Sequence, residues 1–221
     1  MTLRPRQYDL VVFDWDGTLF DSTALIVRCI QDACVDLGLP RPADVDAAYV
    51  IGMGLHEALA HVCPGIGREQ VAAMAGRYRH HYFARQHELT LFAGTLQMLQ
   101  ALKARNHWLA VATGKSRLGL DEALKTVELR GMFDGSRTAD ETASKPHPRM
   151  LLELMAEFGT EPERTLMIGD TTHDLQLAAN AGTHALAVSY GAHEPASFAA
   201  YEPRFVAHSV AELHRWLDEH A

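Results

Sequence analysis

Asp14-Trp15-Asp16-Gly17-Thr18-Leu19-Phe20-Asp21 follows a short apolar run and sets two carboxylates two residues apart. A carboxylate can attack phosphorus and form an aspartyl-phosphate, which divides hydrolysis into two easier steps. Two carboxylates in different environments can share that work, one ionised as nucleophile and one intermittently protonated. Asp14 is read as the nucleophile and Asp16 as the proton carrier. Side-chain alternation along an extended segment is expected to spare the two acids repulsion in a shared pocket. Gly17 and Thr18 permit the tight turn that swings Asp16 back toward a substrate. A polar turn after a strand would use the same residue types.

Three more polar clusters carry compatible chemistry. In Ala110-Val111-Ala112-Thr113-Gly114-Lys115-Ser116, the Thr113 hydroxyl and the backbone N–H groups from Gly114 onward suit phosphate oxygens. Helix capping by Thr113 or Ser116 would explain the same residues. Ser144-Lys145-Pro146-His147-Pro148 puts Lys145 just ahead of a helix, where an ammonium would neutralise charge on a transferring phosphoryl group. In Gly169-Asp170-Thr171-Thr172-His173-Asp174, Asp170 and Asp174 are oxygen donors of the kind a hard cation such as Mg2+ takes, beside Asp14. A capped helix start is the competing reading of that segment.

These clusters need a scaffold that brings them together. Apolar runs at Tyr8–Phe13, Trp108–Ala112, Thr165–Ile168 and Ala185–Val188 each end in polar residues or Gly. Helical patterns separate them: Leu96, Leu99, Leu102; Leu120, Leu124, Val127; Leu151, Leu154, Met155, Phe158. Strands alternating with helices predict an α/β fold, a Rossmann-like parallel sheet with helices on both faces. In such sheets ligands bind at the carboxyl ends of the strands, where all four clusters fall. From about Asp21 to His87 the alternation stops. Leu25, Ile26, Cys29, Ile30, Ala33, Cys34 and Leu37 form one helical face, with Gly38 as a stop. Further helices are expected over Leu55–Val62 and from Glu69 to about Gln86. The expected division is a core of residues 1–20 and 91–221 with an inserted helical cap of residues 21–90.

Bulk properties exclude several classes. With 48% hydrophobic and 22% charged residues, the 221-residue chain is an ordinary globular protein rather than a disordered one. A net charge of −8, with no basic run, speaks against nucleic-acid binding. No apolar stretch suits a membrane span, and the start has too short an apolar run for a signal peptide. Cys29, Cys34 and Cys63 have no metal-ligand spacing, and their odd number fits a reducing cytoplasm. Most of the thirteen His are expected on the surface, and His147, His173 and His193 are not expected to be metal ligands, since a magnesium site prefers oxygens.

The joint set resembles the haloacid dehalogenase-like hydrolase superfamily, specifically its phosphoglycolate phosphatase-like branch with a helical cap. Asp14-x-Asp16-Gly17-Thr18 matches that family's first motif, Thr113 its second, Lys145 its third, and Gly169-Asp170 with Asp174 its fourth. The resemblance spans nearly the whole chain. It implies magnesium held by the Asp14 carboxylate, the Asp16 main-chain carbonyl and Asp170, with Asp174 as a direct or indirect partner. It also implies that the first strand is central, flanked by those leading to Thr113 and Asp170. Dehalogenating members generally lack an acid at the position of Asp16, because halide leaves without a proton. An alkoxide needs one, so Asp16 favours phosphate esters.

Substrate choice is expected to lie in the cap, where Val50-Ile51-Gly52-Met53-Gly54-Leu55-His56 resembles the loop that meets substrate in this branch. Gly52, Met53 and His56 are the candidate contacts; an interhelical turn is the alternative. His147, His173 and His193 are expected near the active-site loops, and Tyr190-Gly191-Ala192-His193 also resembles phosphoglycolate phosphatases. The expected partner is a small phosphorylated metabolite. Alternatives are a phosphomutase of the β-phosphoglucomutase type, a small-molecule pyrophosphatase, and a non-catalytic receiver-like phosphoacceptor. Against the mutase, residues 21–30 lack the His that similar mutases carry after the first motif; against Schiff-base phosphonate cleavage, the first Lys is Lys103. Trp15 is bulkier than the usual residue between the two acids.

Overall fold

The computed structural model describes residues 7–125 and 129–221. Val127, expected on a helical face, and residues 1–6 lie outside them. Strand β1 (Leu10–Phe13) is buried along its whole length. Such a strand needs a partner on each edge and a helix layer on each face. The partners are β2 (Trp108–Thr113) and β4 (Thr165–Gly169), both parallel to it. Strand β3 (Gly135–Thr138) lies outside β2, while β5 (His184–Val188) and β6 (Val206–Ala207) continue beyond β4. The order β3-β2-β1-β4-β5-β6 departs in opposite directions from β1, which opens a crevice at its carboxyl end.

Alternation along β1 divides the core into two layers. Val11 and Phe13 pack in one apolar cluster with Leu99 of α5 (Thr95–Ala104) and Leu213 of α9 (Val210–His220). Leu10 and Val12 join the other, with Leu151 of α7 (Arg149–Phe158) and Leu177 of α8 (Thr172–Ala181). The α/β architecture expected from the sequence is therefore the observed one.

Four α-helices stand between β1 and α5: α1 (Thr23–Asp36), α2 (Asp44–Tyr49), α3 (Leu55–Val62) and α4 (Arg68–Arg85). The apolar face of α1 packs against Val71, Met74, Ala75 and Tyr82 of α4, forming a cluster apart from the two sheet layers. The chain enters and leaves this region side by side: the Asp21 N–H donates to Thr90 O at 3.0 Å, and the Phe92 N–H to Leu19 O at 3.0 Å.

Sequence periodicity does not reveal β3, β6 or α2. Strand β3 reads Gly-Ser-Arg-Thr at a sheet edge, β6 is two residues long, and α2 spans six. None is long or apolar enough to display a period. Helix α6 (Arg117–Ala123) follows β2. Among the described residues no helix is long and apolar enough to cross a membrane.

Candidate active site

The carboxyl ends of β1, β2 and β4 deliver Asp14, Thr113 and Asp170, all essentially buried. Lys145 arrives from the loop before α7 and Asp174 from the first turn of α8. The Lys145 ammonium lies 2.8 Å from Asp14 Oδ1 and 2.6 Å from Asp174 Oδ1. The second contact is an aligned hydrogen bond. The first is an ion pair outside hydrogen-bond alignment, so among the described residues neither Asp14 oxygen has an aligned hydrogen-bond donor.

The other carboxylates are held on both sides. Asp170 Oδ1 accepts from the Thr18 hydroxyl at 2.8 Å, and Oδ2 from the Ala192 N–H at 2.7 Å. Asp174 Oδ2 accepts from the Thr171 N–H and hydroxyl at 3.1 and 2.7 Å. Asp174 is thus also the reciprocal cap of α8, so one carboxylate both caps the helix and stands in the acidic cluster. Gly17, at φ +79°, leaves room for this packing: a Cβ there would stand 2.2 Å from Asp170 Oδ2.

Carboxylate oxygens of Asp14, Asp170 and Asp174 lie within 4.8 Å of one another. Three buried carboxylates facing one ammonium leave a formal excess of two negative charges, which is costly in a dry interior. Burial pushes the Asp14 carboxyl up to about 7; Lys145 opposes this, while Asp174 and Asp16 add to it. Asp170 is pushed well above its ordinary range, first by burial and then by Asp14 and Asp174. For Lys145, burial acts to lower proton affinity, but Asp14 and Asp174 outweigh it and the net direction is upward. The Asp14 oxygens, which accept no aligned hydrogen bond among the described residues, the all-oxygen donor set and the charge excess fit a hard divalent cation.

Asp16 overturns one sequence expectation. Alternation predicts that the two acids avoid a shared pocket, yet Asp14 and Asp16 line the same cavity. Residues i and i+2 share a side while the chain is extended, and the turn at Gly17 does not separate them. A separate lysine for each acid offsets the repulsion. Lys145 serves Asp14, and Lys115 clasps Asp16, with Nζ 3.0 Å from Oδ1 and 2.8 Å from Oδ2. Trp15, between them, turns away from the site. It is buried in the sheet core and stacked on Phe20, with ring centroids 4.9 Å apart.

Thr113 and Gly114 line the cavity, and the Lys115 N–H donates to Thr113 Oγ1 at 3.2 Å. The loop after α2 closes over them. Gly52 and Met53 line the cavity, and a Cβ on Gly114 would stand 2.3 Å from Met53 O. His56 instead lines a neighbouring cavity with Ser116, Ser144 and His147. His173 and His193 each place Nε2 2.9 Å from Tyr49 O. A carbonyl only accepts, so both imidazoles donate, joining the helical insertion to α8 and to the loop after β5. Burial lowers the pKa of both.

Lys115 and Tyr82 are site residues to which sequence reasoning assigns no role. Lys115 stands two residues after Thr113, and that spacing is the available signal; Tyr82 is one of several aromatics on a polar helix and has none.

Fold and site together define a parallel α/β hydrolase with a carboxylate-rich crevice at the end of its central strand. The sequence profile of the haloacid dehalogenase-like hydrolases matches residues 11–188, and the chain belongs to that family. It is 34% identical to the probable phosphatase IndB of Dickeya dadantii, over 92% of this chain and 91% of that one. It is 30% identical to the pyrophosphatase PpaX of Bacillus mycoides, covering 92% and 94%. Identity to the phosphoglycolate phosphatase of Aliivibrio fischeri is 31%, covering 82% and 84%. Among solved structures, a haloacid dehalogenase-like hydrolase from Bacteroides fragilis superposes with a TM-score of 0.86 at 26% identity, covering 93% of this chain and 99% of that one.

Proposed function

We propose that this hydrolase is a Mg2+-dependent phosphatase of a small phosphomonoester, acting through an aspartyl-phosphate on Asp14. The observation that carries the reading is the Asp14 carboxylate: buried, beside an ammonium, without an aligned protein donor, and on the wall of a cavity. Such a group keeps lone pairs available to attack phosphorus.

In this reading the Asp14 carboxylate attacks phosphorus in line with the ester oxygen, the P–O ester bond breaks, and Asp16 gives the leaving oxygen its proton. Asp16 then takes a proton from water, whose oxygen attacks the aspartyl-phosphate and releases inorganic phosphate. Thr113, the Gly114 N–H and Lys145 hold the equatorial phosphoryl oxygens. The Asp14 carboxylate, the Asp16 main-chain carbonyl and Asp170 would hold the magnesium, and Asp174 steadies Lys145 at 2.6 Å. The ion, when bound, offsets charge on the carboxylates and the phosphoryl group.

The division into a core of residues 1–20 and 91–221 and a cap of residues 21–90 belongs to the same proposal. The paired crossing segments and the insertion's own apolar cluster support it. With Gly52 and Met53 over the phosphoryl site, such a cap would exclude water during transfer. A cytoplasmic location is likewise proposed, on cysteine usage.

The activities named for the relatives favour a small substrate. Phosphoglycolate and pyrophosphate differ in bond type but share a negatively charged leaving group. Phosphate release from a panel of small phosphoesters and pyrophosphate, with Mg2+ and with chelator, tests the reading. Turnover should require the metal and fall by about 10³-fold or more in Asp14→Asn. Full activity in that variant would remove the nucleophile. An isomerised product with a bisphosphate intermediate would indicate a mutase, and a long-lived acyl phosphate without turnover a receiver.

A further inference from the structure

Lys115 lines the cavity together with Asp14 and Asp16, and the phosphatase reading gives its ammonium no role. Its side chain is 9% exposed. Nζ lies 2.8 Å from Asp16 Oδ2, 2.9 Å from the Tyr82 hydroxyl, and 4.6 Å from the Tyr82 ring centroid. The surrounding wall is largely apolar, with Ile26, Val50, Met53, Tyr78 and Leu118 among its residues. Burial acts against the ammonium, but Asp16 and Tyr82 outweigh it, so Lys115 stays charged. Arg79, exposed on α4, is the other cation on this wall among the described residues. The cavity measures about 110 Å³, room for a leaving group of a few heavy atoms.

We propose that Lys115 is a specificity-determining residue that receives an anionic group on the leaving portion of the substrate. This deepens the phosphatase reading and rests on it for the placement of the ester over Asp14. With phosphorus at Asp14, the leaving oxygen faces Asp16, and the remainder of the leaving group enters the space Lys115 borders. A carboxylate or phosphate there gains a charge-assisted bond to an ammonium already stripped of water. It also draws Lys115 off Asp16, leaving Oδ1 with the Ser22 hydroxyl at 2.8 Å and Oδ2 free to serve the leaving oxygen. A neutral leaving group does neither, and Asp16 stays clasped. The preference therefore acts on both binding and turnover.

Binding to the Asp14→Asn protein, measured by calorimetry with Mg2+ present, tests this without turnover. The probes are 2-phosphoglycolate, pyrophosphate and ethyl phosphate, carrying a carboxylate, a phosphate and no charge on the leaving portion. At least one charged probe should bind about tenfold or more tighter than ethyl phosphate. The one with the larger advantage identifies the anion. Adding Lys115→Met should reduce that advantage to about threefold or less, and Lys115→Arg should restore part of it. A merely structural lysine would weaken all three probes alike. An advantage that survives Lys115→Met, equal binding of charged and neutral probes, or no binding of any probe overturns the proposal. The kcat/KM ratio of charged to neutral ester in the Asp14 enzyme should shift in the same direction. Lys115-dependent discrimination in binding without phosphate release by the Asp14 enzyme would sink the phosphatase reading and leave Lys115 only as an anion-binding group.

Discussion

Two acids two residues apart have separate lysines, and that pairing distinguishes their roles. Both line the cavity, but Asp14 has no aligned hydrogen-bond donor among the described residues, while Asp16 has both oxygens on Lys115 and Oδ1 on the Ser22 hydroxyl as well. A nucleophile needs free lone pairs; a proton carrier needs a route to the leaving oxygen. If Asp16 fills the second role, its worth depends on how badly that oxygen needs a proton. Asp16→Asn should slow hydrolysis of ethyl phosphate by about 10²-fold or more and that of an activated aryl phosphate by about tenfold or less. Steady-state kinetics on the two esters provides the check. Equal losses would count against the acid role and favour a purely positional one.

At the scale of elements, the decisive contact is between the loop after α2 and the turn after β2. Backbone meets backbone there: a Cβ on Gly114 would stand 2.3 Å from Met53 O and 2.6 Å from Gly52 O. Neither oxygen can move without its loop, unlike the tip of a side chain. Gly54 adds a hydrogen bond to Ser144 Oγ at 2.7 Å, and Tyr49 O receives two imidazoles. Gly114→Ala should therefore prop the insertion away from the sheet. Expected outcomes are faster amide exchange over residues 49–54 and a fall in kcat/KM of about 10- to 100-fold. Unchanged exchange with full activity would show that closure does not depend on this approach.

For the whole molecule, the site is a load on stability. Asp14 titrates near 7 in the folded chain against an ordinary value of 3.8, so the folded state binds more protons between those limits. The associated stability is present below about pH 4 and is lost as pH rises toward 7. Beyond that, burying the ionised carboxylate costs on the order of a few kcal/mol, since each tenfold change in proton affinity corresponds to roughly 1.4 kcal/mol. With chelator present, Asp14→Asn should melt higher than the natural chain at pH 8, and the difference should close by pH 4. Added Mg2+ should raise the melting point of the natural chain more than that of the variant. Calorimetry across that pH range decides it; a variant that melts lower at pH 8 would refute the account.

Much of this was legible in the chain. The fully apolar β1 required a buried parallel sheet, and the polar residues at its carboxyl end had to gather at one crevice; local pattern and strand burial suffice for that. The helical insertion was legible from the 3.6-residue period of α1. Edge strand β3 and short α2 were not, because four to six residues carry too few turns of any period. Nor were the pairings made across long sequence separation. Lys115 finds Asp16 from 99 residues away and Tyr82 from 33, and His173 finds Tyr49 from 124. Residue type and spacing determined which groups could do chemistry. Only the tertiary packing decided which cation faces which carboxylate, because that depends on how strand ends, loops and the helices after β1 meet across long stretches of chain.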